Sequence, residues 1–124
     1  IDHSKANIIG FDYTEMIDNP EVRVPVINYL LHRLEALIDG RPLIYVMDEF
    51  WKILDGEGGL KEFAKNKQKT IRKQNGLGIF ATQSPEDALQ SSIAAALIEQ
   101  TATLILLPNP NASRDDYVEG LKLT

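Results

Sequence analysis

The sequence contains no cysteine and no long apolar run. Without cysteine the chain has no disulfide framework, no thiolate zinc site and no cysteine nucleophile, which is compatible with a reducing cytoplasm. The apolar runs Leu43–Met47 and 104–107 fall far short of the roughly 20 residues that a transmembrane helix needs. With 124 residues, 44% of them apolar, we expect one domain or part of one. The chain opens on Ile1 without a signal-peptide pattern, which is compatible with a fragment.

Positive charge is scarce overall and concentrated in one segment. The formal net charge is −5, yet residues 61–73 contain six lysines and arginines against one acidic residue, Glu62. This local charge of +5 leaves the remaining chain at −10. Such a segment is either the solvated face of a helix or a surface for an anion, such as a phosphate chain or nucleic acid.

The apolar pattern predicts strands that alternate with helices. Continuous apolar runs predict four strands, at residues 6–13, Leu43–Met47, 77–82 and 101–107, and we expect the second to be covered on both faces. Apolar stripes and capping signals predict helices at residues 21–38, Phe50–Leu54, 60–74, 85–99 and 112–121. The predicted fold is therefore α/β, with a mostly parallel sheet of about four strands and flanking helices.

Polar residues follow the predicted strands at the points where ligands bind in parallel sheets. Asp48 and Glu49 follow the second strand and Gln83 follows the third, while Asp12 and Asn109 end the first and fourth. In open α/β sheets, ligands lie beyond the carboxyl ends of the strands. These residues are therefore the candidates for a site, although any strand must end in something hydrophilic.

An apolar run followed by Asp-Glu suits the hydrolysis of a nucleoside triphosphate. Asp48 would hold Mg²⁺ and Glu49 would polarise the attacking water, while the amide of Gln83 would bond a γ-phosphate or that water. Arg72, near the end of the predicted helix 60–74, is a candidate arginine finger for a neighbouring subunit. The plainer alternatives remain open: Asp48, Glu49 and Gln83 as simple strand termini, and Arg72 as a cation that complements its helix dipole.

Three strings in this order resemble one protein family. Residues 43–54 (LIYVMDEFWKIL), 70–76 (TIRKQNG) and 80–85 (FATQSP) are similar to the carboxyl-terminal motor domain of the type IV secretion and conjugation ATPases of the Vir system. These are TraC/TrbE-like proteins of the HerA/FtsK branch of RecA-like P-loop motors. The resemblance extends from about residue 11 to residue 107, and it implies a partial RecA-like core.

The resemblance also implies roles for individual residues. Asp48 would be the Walker B residue that binds Mg²⁺ with ATP, Glu49 the carboxylate that activates water, and Gln83 the sensor on the following strand. Arg72, together with Lys73, would act on nucleotide across a subunit boundary. The implied protein is a hexamer on the cytoplasmic side of the bacterial inner membrane, where it meets other type IV secretion components. It would power pilus assembly and the transfer of protein or DNA.

The phosphate-binding loop of such motors is absent from this sequence. No G-x-x-x-x-G-K-[ST] pattern occurs, since Gly58-Gly59 precedes Leu60-Lys61 and no lysine follows Gly76-Leu77-Gly78. We therefore interpret residues 1–124 as the carboxyl-terminal portion of a motor domain, from Walker B onward, and expect no ATP hydrolysis by this chain alone. We also expect an uncovered sheet edge or apolar surface that favours self-association.

Two other functions are compatible with the sequence. A DNA-pumping or coupling ATPase of the same branch would use the basic segment 61–73 to contact nucleic acid, although the acidic remainder of the chain disfavours broad DNA binding. A non-catalytic α/β interaction module would need Asp48, Glu49 and Gln83 only as strand ends.

Overall fold

A computed structural model describes residues 6–54, 68–111 and 113–121. Its elements in chain order are α1 (Pro20–Leu37), β1 (Leu43–Met47), α2 (Phe50–Leu54), α3 (Gln68–Lys73), β2 (Gly76–Phe80), α4 (Pro85–Gln90), α5 (Ser92–Glu99) and a π-helical turn (Asp116–Gly120). The architecture is α/β, as predicted. No helix in these three ranges is both long and apolar enough to span a membrane.

Helix α1 begins and packs as its sequence predicts. The Asn19 side chain accepts a hydrogen bond from the backbone N–H of Glu21, and Pro20 occupies the first turn, where its missing N–H costs nothing. Ile27 and Leu31, one helical turn apart, are buried, and the neighbouring leucines of the same stripe are partly buried. This stripe is the contribution of α1 to the core.

The sheet consists of β1 and β2 in parallel. The register pairs Leu43 with Gly76 at one end and Met47 with Phe80 at the other. Along β1 the side chains alternate, because successive residues of a strand point to opposite faces: Tyr45 is buried, whereas Ile44 and Val46 are 65% and 64% exposed. The expectation that β1 is covered on both faces is therefore wrong for the described part of the chain.

One hydrophobic cluster joins the covered face of the sheet to the helices. Its buried members come from α1, β1, α2, α3, α4 and α5, and they are Ile27, Leu31, Tyr45, Phe50, Ile53, Ile71, Ala88 and Leu97. The Phe80 ring meets the rings of Tyr45 and Phe50 edge to face, with centroids 5.8 and 5.6 Å apart. These contacts fix the carboxyl end of β2 against the middle of β1 and against α2.

Two of the four predicted strands are absent. Residues 6–13 and 101–107 form no ladder within the described ranges, and Ile8, Ile105 and Leu107 are largely exposed. A strand needs a neighbour that satisfies its N–H and C=O groups, and an apolar sequence specifies the side chains but not that neighbour. The prediction of about four strands is therefore wrong, because the sheet formed by the described residues has two.

Several predicted helices differ in extent. The helix predicted at residues 85–99 is divided at Ser91 into α4 and α5, and the last helix is reduced to residues 114–115 and the π-helical turn. Of the helix predicted at 60–74, α3 begins at Gln68, and residues 60–67 lie outside the described part of the chain. The Gly-rich segment 55–59 lies outside it as well.

Asn75 connects α3 to β2 and also ties together the amino ends of both strands. Its φ of 59° is in the left-handed region, as is common just after a helix. Its Nδ2 donates to the carbonyl of Gly40 at 2.8 Å, and its own carbonyl accepts from the N–H of Leu43 at 3.2 Å. The turn therefore helps to set the register in which β1 and β2 begin.

Candidate functional site

The carboxyl end of the sheet brings together residues that are more than 30 positions apart in the sequence. The backbone N–H of Ala81 donates to the Met47 carbonyl at 2.9 Å, and that of Phe50 donates to the Ala81 carbonyl at 3.3 Å. These bonds carry the pairing past the last residues of the strands. Asp48 and Glu49 consequently lie beside the segment 81–83, which includes Gln83.

Asp48 presents an exposed carboxylate at this edge. Its Oδ1 accepts a hydrogen bond from the backbone N–H of Glu49 at 3.0 Å, which orients the carboxylate toward the following turn. Its backbone carbonyl accepts a hydrogen bond from the hydroxyl of Tyr13. The strand end is thereby anchored to the segment that precedes α1.

Glu49 is held by its side chain as well as by its backbone. Its φ is 46°, a left-handed conformation that a residue with a Cβ seldom adopts. Its Oε2 accepts a hydrogen bond from Trp51 Nε1 at 2.8 Å and a longer one from Thr82 Oγ1 at 3.4 Å. The carboxylate therefore bridges the turn after β1 and the segment after β2.

Tyr13 contacts the acidic pair from outside the sheet. Burial raises the pKa of its phenol above the ordinary value of 10.0, and the negative charges of Asp48 and Glu49 raise this pKa further. The hydroxyl therefore remains protonated, and a hydrogen-bond donor, to a higher pH than a free tyrosine.

Gln83 lies exposed at the same edge, one residue after Thr82. Its backbone carbonyl accepts a hydrogen bond from Asn109 Nδ2 at 3.4 Å. This contact brings Asn109 to the carboxyl end of the sheet, even though the preceding residues 101–107 do not form the predicted strand. Asn109 and Gln83 thus share the edge that also holds Asp48 and Glu49.

Arg72 and Lys73 lie at the opposite end of the sheet. Both are exposed in the last turn of α3, which leads through Asn75 into the amino end of β2. The five residues of β2 separate the two ends by about 16 Å at roughly 3.3 Å per residue. The structure therefore does not bring Arg72 or Lys73 to the carboxylates of the same chain. The lysines at positions 61, 65 and 67 lie outside the described residues.

Sequence reasoning missed three residues of this edge: Tyr13, Trp51 and Thr82. Thr82 had a usable signal, since it lies next to Gln83 at the end of a predicted strand. Trp51 lies within the string 43–54 that carries the resemblance, but no role was assigned to it there. Tyr13 carries no local signal, because its hydrogen bond spans 35 positions.

The donor set at this edge suits a hard cation held jointly with a phosphate. Carboxylate oxygens are the protein ligands that Mg²⁺ prefers, and it commonly binds through one or two of them, with phosphate and water completing the shell. Across the described ranges no group of three His, Asp or Glu side chains forms a closed metal site. Asp48 is an exposed carboxylate of the kind that could hold such a cation.

Comparison with known proteins identifies related sequences along the whole chain. The profile of the TraG P-loop domain matches residues 5–118. The chain is 55% identical over 124 residues to the type IV secretion system protein virB4 of Brucella abortus (strain 9-941), and 53% identical over 119 residues to virB4 of Bartonella quintana. It is 48% identical over 124 residues to the type IV secretion system protein PtlC of Bordetella pertussis. These alignments cover 96–100% of this chain but only 15% of each relative.

Proposed function

Because the chain belongs to the TraG P-loop domain family, we propose that it is part of the ATP-hydrolysing motor domain of a type IV secretion ATPase. The observation that carries the proposal is the acidic pair Asp48–Glu49, which directly follows β1 at the same carboxyl edge of the parallel sheet as Gln83. The relatives that match the whole chain carry type IV secretion names, which supports the same system. The motor would energise pilus assembly and the transfer of protein or DNA across the bacterial envelope.

Each residue of the edge has a separate role in the proposed reaction. Glu49 accepts a proton from the attacking water, and the amide of Gln83 forms a hydrogen bond to the γ-phosphate or to that water. Asp48 is the carboxylate that would hold Mg²⁺. A metal held there would supply positive charge that offsets the negative charge of the phosphates.

The proposed domain is incomplete within these 124 residues. The sequence has no Gly-Lys-Ser/Thr loop, whose backbone N–H groups would cradle the phosphates. We infer that residues 1–124 are the carboxyl-terminal portion of a RecA-like motor domain and that the P-loop lies in the amino-terminal part of the same protein. The 124-residue chain alone would then be inactive, because its sequence contains no such loop to hold the triphosphate in place.

We propose a multi-subunit assembly, which the separation of the proposed groups supports. Arg72 and Lys73 lie at the end of the sheet opposite Glu49, so they reach a nucleotide only if it is bound by a neighbouring subunit. A ring, which we propose to be a hexamer, supplies such a neighbour at every interface. We place the motor on the cytoplasmic face of the inner membrane with other type IV secretion components.

Turnover of the full-length protein tests the proposed function. Glu49→Gln should lower ATP hydrolysis by about 100-fold or more, because general base catalysis contributes on this scale, while ATP binding is retained. Glu15→Gln is the matched control, since Glu15 is exposed and is not part of the edge. Wild-type turnover in the Glu49→Gln protein would refute the role proposed for Glu49, whereas a wild-type protein that does not hydrolyse ATP would refute the motor and favour a non-catalytic interaction module.

A further inference from the structure

Glu49 adopts a backbone conformation that its own residue type does not favour. Residues with a Cβ keep a φ such as 46° only where their surroundings impose it, and such conformations cluster at functional sites. The surroundings of Glu49 are specific: two donors from different segments converge on one of its carboxylate oxygens, Oε2.

We propose that Trp51 and Thr82 are positioning residues that orient the Glu49 carboxylate toward the attacking water. This inference rests on the proposed function. Among the described residues no donor reaches the other oxygen, Oε1, so the two hydrogen bonds fix one oxygen and leave its partner to accept a proton. Fixed orientation of a catalytic group lowers the barrier because the group need not be ordered in the transition state.

Trp51 is the stronger of the two positioning groups. Its indole N–H is a donor only, and the 2.8 Å distance to Oε2 is that of a charge-assisted hydrogen bond. The ring is rigid, belongs to α2 and packs against the core, with the Lys52 ammonium 5.5 Å from its centroid. The indole therefore has little freedom to move, and its N–H holds the Glu49 carboxylate in one position.

The hydroxyl proton of Thr82 has two alternative hydrogen-bond acceptors. Its Oγ1 accepts a hydrogen bond from the Ser84 N–H at 3.1 Å, which fixes the oxygen, and its single proton faces either the Ser84 carbonyl at 3.1 Å or Glu49 Oε2 at 3.4 Å. Because one proton serves one acceptor at a time, Thr82 contributes less than Trp51. It does connect Glu49 to the segment that carries Gln83.

The hydrogen bond itself can be tested on the 124-residue chain without any activity. Trp51 is its single tryptophan, so a ¹H–¹⁵N spectrum contains one indole N–H resonance. Glu49→Ala should move this resonance upfield and speed its exchange with water, because a hydrogen-bonded proton is deshielded and protected. Glu15→Ala should leave it in place. An unchanged indole resonance in Glu49→Ala would overturn the proposed contact.

Turnover of the full-length protein tests the purpose of the contact. Replacement of Trp51 by benzothienylalanine, in which sulfur takes the place of the N–H, keeps the bicyclic shape and removes only the donor. The expected result is a kcat lower by about tenfold with KM for ATP within about twofold. Thr82→Val should lower kcat by a smaller factor, and Thr82→Ser should restore it.

The possible outcomes separate the two proposals. An unchanged or increased kcat after the Trp51 replacement, or an effect on KM alone, would overturn the positioning role. If the wild-type protein does not hydrolyse ATP, the proposed function fails and the positioning role fails with it. The indole resonance would then still show whether Trp51 holds Glu49, so a wrong geometry and a wrong function remain distinguishable.

Discussion

Tyr45 and Gly78 lie directly opposite each other in the parallel pair, and the tyrosine ring fills the space where a side chain on Gly78 would begin. A Cβ on Gly78 would lie 2.6 Å from Tyr45 Cζ and 3.0 Å from Phe80 Cε2. Tyr45 is only 7% exposed, so its ring cannot swing into solvent. The glycine is therefore required by packing rather than by backbone conformation.

The first prediction concerns this contact. Gly78→Ala should lower the free energy of unfolding by about 1–3 kcal/mol, the usual cost of adding a methylene-sized group to a packed site. Urea denaturation measures the change. Gly10→Ala is the matched control, since no atom lies within 4 Å of a Cβ there, and it should change stability by less than about 0.5 kcal/mol. Equal stability of the two variants would show that the ring moves aside.

The second prediction concerns the turn between α3 and β2. Asn75→Ala should lower the free energy of unfolding by about 1–2 kcal/mol, because alanine is disfavoured at a φ of 59°. It also loses the hydrogen bond to the Gly40 carbonyl. Asn75→Gly loses the same hydrogen bond without the steric penalty, so it should cost less than Asn75→Ala in the same urea experiment. The reverse order would contradict the left-handed conformation.

The third prediction is a pH dependence. The pKa of Tyr13 is raised in the folded chain above the ordinary value of 10.0, so the folded state holds this proton more tightly than the unfolded state. The contribution of this phenol to stability is complete below about pH 10 and is lost as the pH rises through the folded-state pKa. Tyr13→Phe lacks this contribution and also loses the hydrogen bond to the Asp48 carbonyl.

Thermal unfolding at pH 8 and pH 11 measures this effect. At pH 8 the wild-type chain should be more stable than Tyr13→Phe, by about 1 kcal/mol for one net hydrogen bond. At pH 11 the difference should be smaller. Tyr29→Phe is the control, because Tyr29 is 58% exposed. A difference that stays constant or grows between the two pH values would rule out the raised pKa.

The sequence predicted the parts of the fold that rest on local patterns. The apolar stripe containing Ile27 and Leu31 correctly predicted α1, and the apolar run Leu43–Met47 correctly predicted β1, because periodicity and capping are encoded within each segment. The outer strands were wrong because pairing depends on a neighbour that an apolar run such as 104–107 does not specify. The sequence also did not predict the exposure of Ile44. An apolar strand is buried on both faces only if other elements pack against both, and the strand's own sequence does not specify those elements.

For the site, the sequence indicated which strand ends lie together, but not which side chains form hydrogen bonds to the residues there. A parallel order of strands was enough to place Asp48, Glu49 and Gln83 at one edge. The partners Tyr13 and Trp51 could not be predicted. The Tyr13 bond closes a 35-residue separation, and the Trp51 bond depends on the left-handed φ of Glu49, which its residue type argues against.

The last prediction concerns Arg72 in the full-length protein. Arg72→Ala should lower ATP hydrolysis by about 1,000-fold or more if this arginine stabilises the transition state from a neighbouring subunit. Arg72 and Glu49 lie at opposite ends of β2, so a single chain cannot use both on one nucleotide. Mixing Arg72→Ala with Glu49→Gln, each inactive by itself, should therefore restore activity.

The size of this rescue can be predicted from the geometry. In rings assembled at random from equal amounts of the two variants, about a quarter of the interfaces pair an intact Glu49 with an intact Arg72, so independent sites should recover about a quarter of wild-type turnover. Mixing Arg72→Ala with the double variant Arg72→Ala/Glu49→Gln supplies no intact arginine and should recover nothing. If the first mixture is as inactive as this control, Arg72 does not act across the subunit boundary, because subunit exchange alone would otherwise have assembled a complete site.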